Sequence, residues 1–250
     1  MSLAAKSALI TGGTGGIGSA IVEELLENGI QSIAVLDLSS QEPFVVQEWR
    51  KRFPAIAVKY YRVDVSSQEE LEKCYGEFVK ETKGLDIVVN CAATFNENMP
   101  KRVVDVNLNG VIQSTIIAIE KMRADGSGVI VNVSSDTGLA PFSLGPTYSV
   151  TKHAVIAFTR ALAHKRDFLG IKFLSLCPGP TDTEMAHNCF QFTFMPNKEQ
   201  IDAIRSQIFF QSCEVVGKAT VKYIQKGKTR SVWLVSNNKI EEIPVEDVKF

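Results

Sequence analysis

The stretch Gly12-Gly13-Thr14-Gly15-Gly16-Ile17-Gly18 limits this chain more than any other, because of what stands on either side of it. Ahead of it, Ser7 to Thr11 is a short apolar run that reads as a buried strand. Behind it, Ser19 to Glu27 places Ile21, Val22, Leu25 and Leu26 at helical spacing and stops at Asn28-Gly29, a favourable helix end. The next apolar strand, Ser32 to Leu36, runs into Asp37, which lies about twenty residues beyond the glycine turn. Strand, glycine turn, helix, strand and acidic residue in this order are the context in which a glycine motif reads as a dinucleotide site. Glycines let the backbone approach a pyrophosphate, and the positive end of the helix favours its charge. Asp37 can accept hydrogen bonds from both adenosine ribose hydroxyls but would repel a 2'-phosphate, so the expected cofactor is NAD rather than NADP. Gly15 and Leu38, where a basic residue could have gripped a phosphate, support the same choice. A ligand-free glycine loop is the bland alternative, and the strand, helix and carboxylate around it weigh against that.

A second constellation is Tyr148-Ser149-Val150-Thr151-Lys152. Residues four apart share a helix face, so the phenol and the ammonium can enter one site. A tyrosine with a pKa of about 10 is a poor base at neutral pH unless a cation stabilises its phenolate, and Lys152 is placed to do so. One buried aromatic and one solvated charge is the competing reading of the same spacing.

Between these landmarks helices and apolar strands alternate. Pro43 to Arg52 reads as a helix with Trp49, and Ile56 to Val63 as a strand ending at Asp64-Val65. Ser67 opens a helix with Glu70 completing a capping box. Leu85 to Asn90 is a strand, Lys101 to Lys121 a long helix, Gly128 to Ser134 a strand, Thr147 to Lys165 a helix and Ile171 to Cys177 a strand. Cys213 to Gln225 and Ser231 to Val235 supply a last helix and strand, and Ile243 to Phe250 an extended terminus able to reach a partner subunit. The pattern specifies a single-domain α/β fold over 1–250: a Rossmann-type, doubly wound parallel sheet of about seven strands with helices on both faces. In such sheets ligands sit beyond the carboxyl ends of the strands, where Asp64, Asn90, Ser134, Ser135 and Pro178-Gly179 fall.

The alternation lapses over about 181–212. Phe190, Phe192, Phe194, Met195, Phe209 and Phe210 there could form a lid over an oily substrate, or pack as core or subunit interface.

A formal net charge of -1 argues against a nucleic-acid surface. Cys74, Cys91, Cys177, Cys189 and Cys213 are scattered, with no CxxC pair, so neither a disulfide framework nor a metal site is expected and a reducing compartment fits. No signal-type or membrane-spanning apolar run is present, and a cytoplasmic protein is expected.

With these residues in place, the chain resembles the short-chain dehydrogenase/reductase family from roughly Lys6 to Val235. Thr11 to Gly18, Asp64, Asn90-Cys91-Ala92-Ala93, Asn107, Ser135, Tyr148 with Lys152, and Pro178-Gly179 with Thr183 stand in the family's order and spacing. It is most like the insect alcohol dehydrogenases and the NAD-dependent hydroxyprostaglandin dehydrogenases.

The resemblance implies a catalytic set. Tyr148 is the base, Lys152 lowers its pKa and holds the nicotinamide ribose, Ser135 hydrogen-bonds the substrate oxygen, and Asn107 holds a water that relays protons from the lysine. It also implies a cofactor-binding set: Gly12, Thr14, Gly15, Gly16, Ile17, Asp37, Leu38, Asp64, Val65, Asn90, Ala92, Pro178, Gly179, Thr181 and Thr183, together with Tyr148 and Lys152. One departure is Ala93 where the family usually has glycine. Substrate choice falls to Leu139, Phe142, Leu144, Pro180 and the aromatic segment. The helices at 101–121 and 147–165 resemble those through which relatives form homodimers or homotetramers.

The expected activity is NAD-dependent interconversion of a secondary alcohol, allylic alcohols included, and its ketone on a hydrophobic substrate such as a terpenoid or lipid alcohol. A dehydrogenase of small aliphatic alcohols and a non-catalytic dinucleotide- or lipid-binding member are the alternatives.

Overall fold

The computed structural model describes residues 2–122, 128–164, 170–194 and 197–244. Lys165, Met195 and most of the expected extended terminus lie outside the described residues. Eight strands form one sheet in the order β3-β2-β1-β4-β5-β6-β7-β8. They are β1 (Ser7–Thr11), β2 (Ser32–Asp37), β3 (Ala57–Arg62), β4 (Ile87–Asn90), β5 (Val129–Val133), β6 (Lys172–Pro178), β7 (Val232–Ser236) and β8 (Lys239–Ile243). All neighbours pair in parallel except β7 and β8. β1, β4 and β5 are buried along their whole length, which is why they read as unbroken apolar runs rather than alternating ones.

The eighth strand exceeds the expected seven, and its signal was available. Asn237 and Asn238 adopt φ of 51° and 60°, the left-handed pair that makes a tight hairpin turn, and asparagine tolerates that region.

The helices are α1 (Gly16–Glu27), α2 (Phe44–Arg52), α3 (Gln68–Thr82), α4 (Pro100–Val104), α5 (Gly110–Lys121), α6 (Pro146–Ala163), α7 (Glu184–Asn188), α8 (Lys198–Arg205) and α9 (Cys213–Lys226). α1 starts inside the glycine turn, three residues before the expected Ser19, because Gly15 is its extended N-cap and Gly16 its first residue. Two apolar layers flank the sheet. On one side Ile21, Val22 and Leu25 of α1 meet Val216, Ala219 and Ile224 of α9. On the other, Leu71, Tyr75 and Phe78 of α3 pack with Ile117 and Ala118 of α5. α1 and α9 approach closely because Gly217 lies on Ala20, where an added Cβ would stand 2.6 Å from the Ala20 carbonyl oxygen.

The segment from 181 to 212 leaves and rejoins the body at one point. Thr181 and Gln211 form a parallel bridge, and the buried Gln211 side chain donates to Thr181 Oγ1 and to the Val235 carbonyl. The irregular sequence of this segment therefore folds as an excursion closed at its base and carries α7 and α8.

Candidate active site

A cavity of about 920 Å³ opens beyond the carboxyl ends of the strands, across the β1–β4 switch point. One end is built by the turn after β1. Gly12 has φ of +64°, and a Cβ on it would come within 2.7 Å of Ala92 Cα, so only glycine lets this turn rest against the end of β4. Thr11 Oγ1 holds that end by accepting from the main-chain N–H groups of Cys91 and Ala92. Gly12, Thr14, Gly15, Gly16, Ile17, Asp37, Leu38, Asp64, Val65 and Ala92 all line the cavity.

Asp37 is tied to the turn it faces. Its Oδ2 accepts from Thr14 N at 3.0 Å and Thr14 Oγ1 at 2.5 Å, and its Oδ1 accepts from Leu38 N. Asp64 accepts from the Ser66 amide and hydroxyl and pairs with Arg102 at 3.0 Å. Burial works against its charge, but these donors outweigh burial and hold its carboxyl below the usual range. Ser67 caps α3 as expected, yet Glu70 reaches past it to the Asp64 amide. The capping pair thus fixes the Asp64 turn.

Two expected residues are absent from the cavity wall. Asn90 is 2% exposed, and its side chain lies in a buried polar network with Asn132, Thr115 and Ser114. β4 aims this amide sideways into the protein, so the side chain itself does not face the cavity. Asn107 is fully buried, and its amide clasps the main chain of Thr94, accepting from the N–H and donating to the C=O. It sits in a π-helical turn, Asp105–Asn109, that interrupts the expected long helix between α4 and α5. Such turns are rare and gather at functional sites.

The other end of the cavity holds Ser135, Tyr148 and Lys152. Lys152 is 2% exposed, so the reading of a solvated charge fails. Its Nζ donates to the Val133 carbonyl and lies 5.4 Å from the Tyr148 ring centre. Burial depresses the ammonium to about 8 and raises the Tyr148 phenol above its ordinary value, with the Asp136 carboxylate adding to the rise. The expected lowering of the tyrosine is therefore not present in the protein by itself, because removing both groups from water favours their neutral forms. Ser135 Oγ donates to Asp136 Oδ1, and burial raises the Asp136 carboxyl.

The β6 turn closes this end. Pro178, Gly179, Thr181 and Thr183 line the cavity, and Thr183 caps α7 by accepting from Ala186 N. An added Cβ on Gly16 would meet Thr183 Cγ2 at 2.7 Å, so the two ends of the site are in contact.

Of the expected substrate-side residues, Phe142 and Pro180 line the cavity, and Leu139 and Leu144 do not. The aromatic segment divides: Phe190, Phe192 and Phe210 face the cavity, while Phe194 and Phe209 are exposed at 67% and 55%. Burial pushes the thiols of Cys91 and Cys189, which also line it, up to about 12 and about 11, so neither is a thiolate at neutral pH. Sequence reasoning missed Glu97, whose carboxylate accepts from the amides of Thr147 and Tyr148 at 3.0 and 2.9 Å. Its partners lie some fifty residues on, and no local signal marks it.

This geometry matches what comparison with known proteins gives. The family model for short chain dehydrogenases matches residues 6–193, and the chain belongs to that family of oxidoreductases, which bind nicotinamide dinucleotides. It is 27% identical over 249 residues to alcohol dehydrogenase 1 of Ceratitis cosyra, covering 97% of this chain and 96% of that protein. Alcohol dehydrogenase 1 of Ceratitis capitata is 25% identical over the same shares. Among solved structures, levodione reductase aligns with a TM-score of 0.81 at 22% identity, covering 94% of this chain and 97% of that one. No described helix is long and apolar enough to cross a membrane, and no described cluster of His, Cys, Asp and Glu could hold a metal ion.

Proposed function

We propose that the protein interconverts a secondary, in some substrates allylic, alcohol and its ketone on an apolar molecule, with NAD as redox partner. The observation that carries this reading is the placement of Ser135, Tyr148 and Lys152 in one wall of a cavity whose far end is the glycine turn with Asp37.

The residues present fit the dinucleotide. α1 has no side-chain cap and no acidic residue in its first turn, so its leading N–H groups remain for a pyrophosphate. Asp37 Oδ1 and Oδ2 already accept hydrogen bonds at the mouth of the turn, where ribose hydroxyls can exchange for Thr14 and a 2'-phosphate would be repelled. The bound cofactor supplies a hydride acceptor for the carbinol carbon. Tyr148 takes the hydroxyl proton, Lys152 as ammonium favours the phenolate that does so, and Ser135 turns its hydroxyl from Asp136 to the substrate oxygen. Asn107 holds the chain around Thr94, and we assign it the proton-relay position. The apolar wall of Phe142, Met185, Phe190, Phe192, Ile208 and Phe210 supports an oily substrate and a lid role for 181–212. We read the protein as cytoplasmic, in keeping with its five free thiols.

The test is reduction of NAD, and separately of NADP, by alcohols running from ethanol to terpenoid and lipid alcohols. Turnover of apolar secondary alcohols with NAD is expected. Turnover of ethanol or propan-2-ol alone would overturn the substrate reading, and turnover with NADP alone the cofactor reading. Tyr148→Phe is expected to keep NAD binding and lose about a thousandfold or more in kcat. A variant that keeps its kcat would return the protein to the binding class.

A further inference from the structure

The segment after β4 touches three parts of the site at once. Thr94 is clasped by Asn107 through both its main-chain groups. The Phe95 ring stands 5.2 Å from the Tyr148 ring and fills the space above Gly145, where a Cβ would come within 2.5 Å of it. Glu97, 5% exposed, places one carboxylate oxygen on the Thr147 amide and the other on the Tyr148 amide. Its own N–H donates at 2.9 Å to the carbonyl of Phe192, a residue of the cavity's aromatic wall.

α6 needs such a partner. Gly145 precedes it and has no side chain to cap the leading N–H groups, and Pro146 contributes no N–H. A carboxylate supplied from another loop satisfies two donors and places negative charge at the positive helix end. The group held most directly is Tyr148, through its own amide.

We propose that Glu97 is a positioning residue that couples the aromatic segment to the base: docking of Phe192 on the Glu97 amide and seating of the first turn of α6 on the Glu97 carboxylate are one arrangement. This rests on the reading of Tyr148 as the base. The chain 94–97 then acts as a strut, with Asn107 at one end, the Tyr148 ring and amide in the middle and Phe192 at the other. A segment that lifts from the cavity pulls on the residue that holds the phenol in place.

The experiment compares wild type, Glu97→Ala, Glu97→Gln and Tyr148→Phe. Kinetics with NAD and an apolar alcohol are combined with NADH binding and peptide-level hydrogen exchange on each folded protein. Glu97→Ala is expected to lower kcat about 10- to 100-fold, as small misplacements of a reacting group do, with a much smaller loss of NADH affinity, because the glycine turn and Asp37 are not among the partners of its carboxylate. Glutamine keeps one acceptor oxygen and should recover part of that loss. In Glu97→Ala, exchange should quicken both in the first turn of α6 and in the 184–194 peptide.

Wild-type kcat in Glu97→Ala would overturn the proposal. So would loss of kcat and NADH binding together in proportion to misfolded protein, with no recovery in glutamine. Unchanged exchange in the 184–194 peptide would remove the coupling, even if α6 loosens. If Tyr148→Phe keeps wild-type turnover, the base reading fails instead, and the exchange data still decide whether Glu97 joins the two segments.

Discussion

Lys152 carries its ammonium where solvent is nearly excluded, with the Val133 carbonyl as its hydrogen-bond acceptor at 3.0 Å. Burial lowers it from 10.5 to about 8, so the folded protein holds this proton less tightly than the unfolded chain. The sign follows: the penalty for a buried charge is fully present below about pH 8 and is relieved as pH rises from about 8 towards 10.5. Lys152→Met should therefore abolish turnover yet stabilise the cofactor-free protein by about 2 kcal/mol at pH 7, with the difference shrinking towards pH 10. Denaturant unfolding of both proteins at the two pH values checks this. A less stable methionine variant would mean that the Val133 contact outweighs desolvation. Asp37 offers a second test, on the cofactor side. Asp37→Ser removes the charge that faces a 2'-phosphate and keeps a hydroxyl for Thr14, so the preference in kcat/KM for NAD over NADP should fall about tenfold or more. An unchanged ratio would place cofactor choice elsewhere. The spacing of Tyr148 and Lys152 told the sequence reader that the two share a helix face, but the direction of the tyrosine's shift depends on burial, which spacing does not carry.

Asn90 joins elements rather than contacting the cavity. Its amide donates to Asn132 on β5 and Thr115 on α5 and accepts from Ser114, whose hydroxyl also meets the Tyr75 phenol on α3. Asn132 continues the chain to Thr159 on α6. One polar seam thus locks β4, β5 and three helices behind the cavity, and each member is buried. Asn90→Ala leaves Ser114 and Asn132 short of partners and should cost about 2–4 kcal/mol, measured by thermal or denaturant unfolding, with kcat of the folded fraction within a few-fold of wild type. A large kcat loss at unchanged stability would return Asn90 to the cofactor site. The sequence placed Asn90 correctly at a strand end but could not say which way its side chain turns. That depends on the sheet's pairing with β5 and on α5 packing across it. Element identity was far more legible, because buried parallel strands and amphipathic helices differ in hydrophobic period. Boundaries slipped where backbone rather than side chains set them, as at Gly15-Gly16, and the π turn at Asn107 has no period of its own.

At the scale of the molecule, the glycine turn, the strand-end residues and the Tyr148–Lys152 pair converge on one cavity because a doubly wound sheet sends all its strand ends to the same side. That much was readable in order along the chain. The stitching of 181–212 through Gln211 and the strut at Glu97 was not, since both depend on residues brought together from distant segments. The surface opposite the network leads to the last expectation. α6 presents Val150, His153, Ala157 and Ala161 outward in one stripe, with Val150 64% exposed, and α5 exposes Ile116 at 48%. A stripe of small and apolar residues with one histidine is poorly suited to water and well suited to close helix approach. We propose that two copies meet there about a two-fold axis, as a homodimer or as one contact of a homotetramer. In an isologous contact any substitution enters twice, once from each copy. Ala157→Glu would therefore bury an unpaired carboxylate from each copy in the contact and should drive the protein to a monomer of 27.5 kDa, read by light scattering on a sizing column. Ala157 lies outside the cavity wall, so NADH binding by the monomer should persist. A wild-type protein that is itself monomeric, or an Ala157→Glu protein of unchanged mass, would place the contact on another face or remove it.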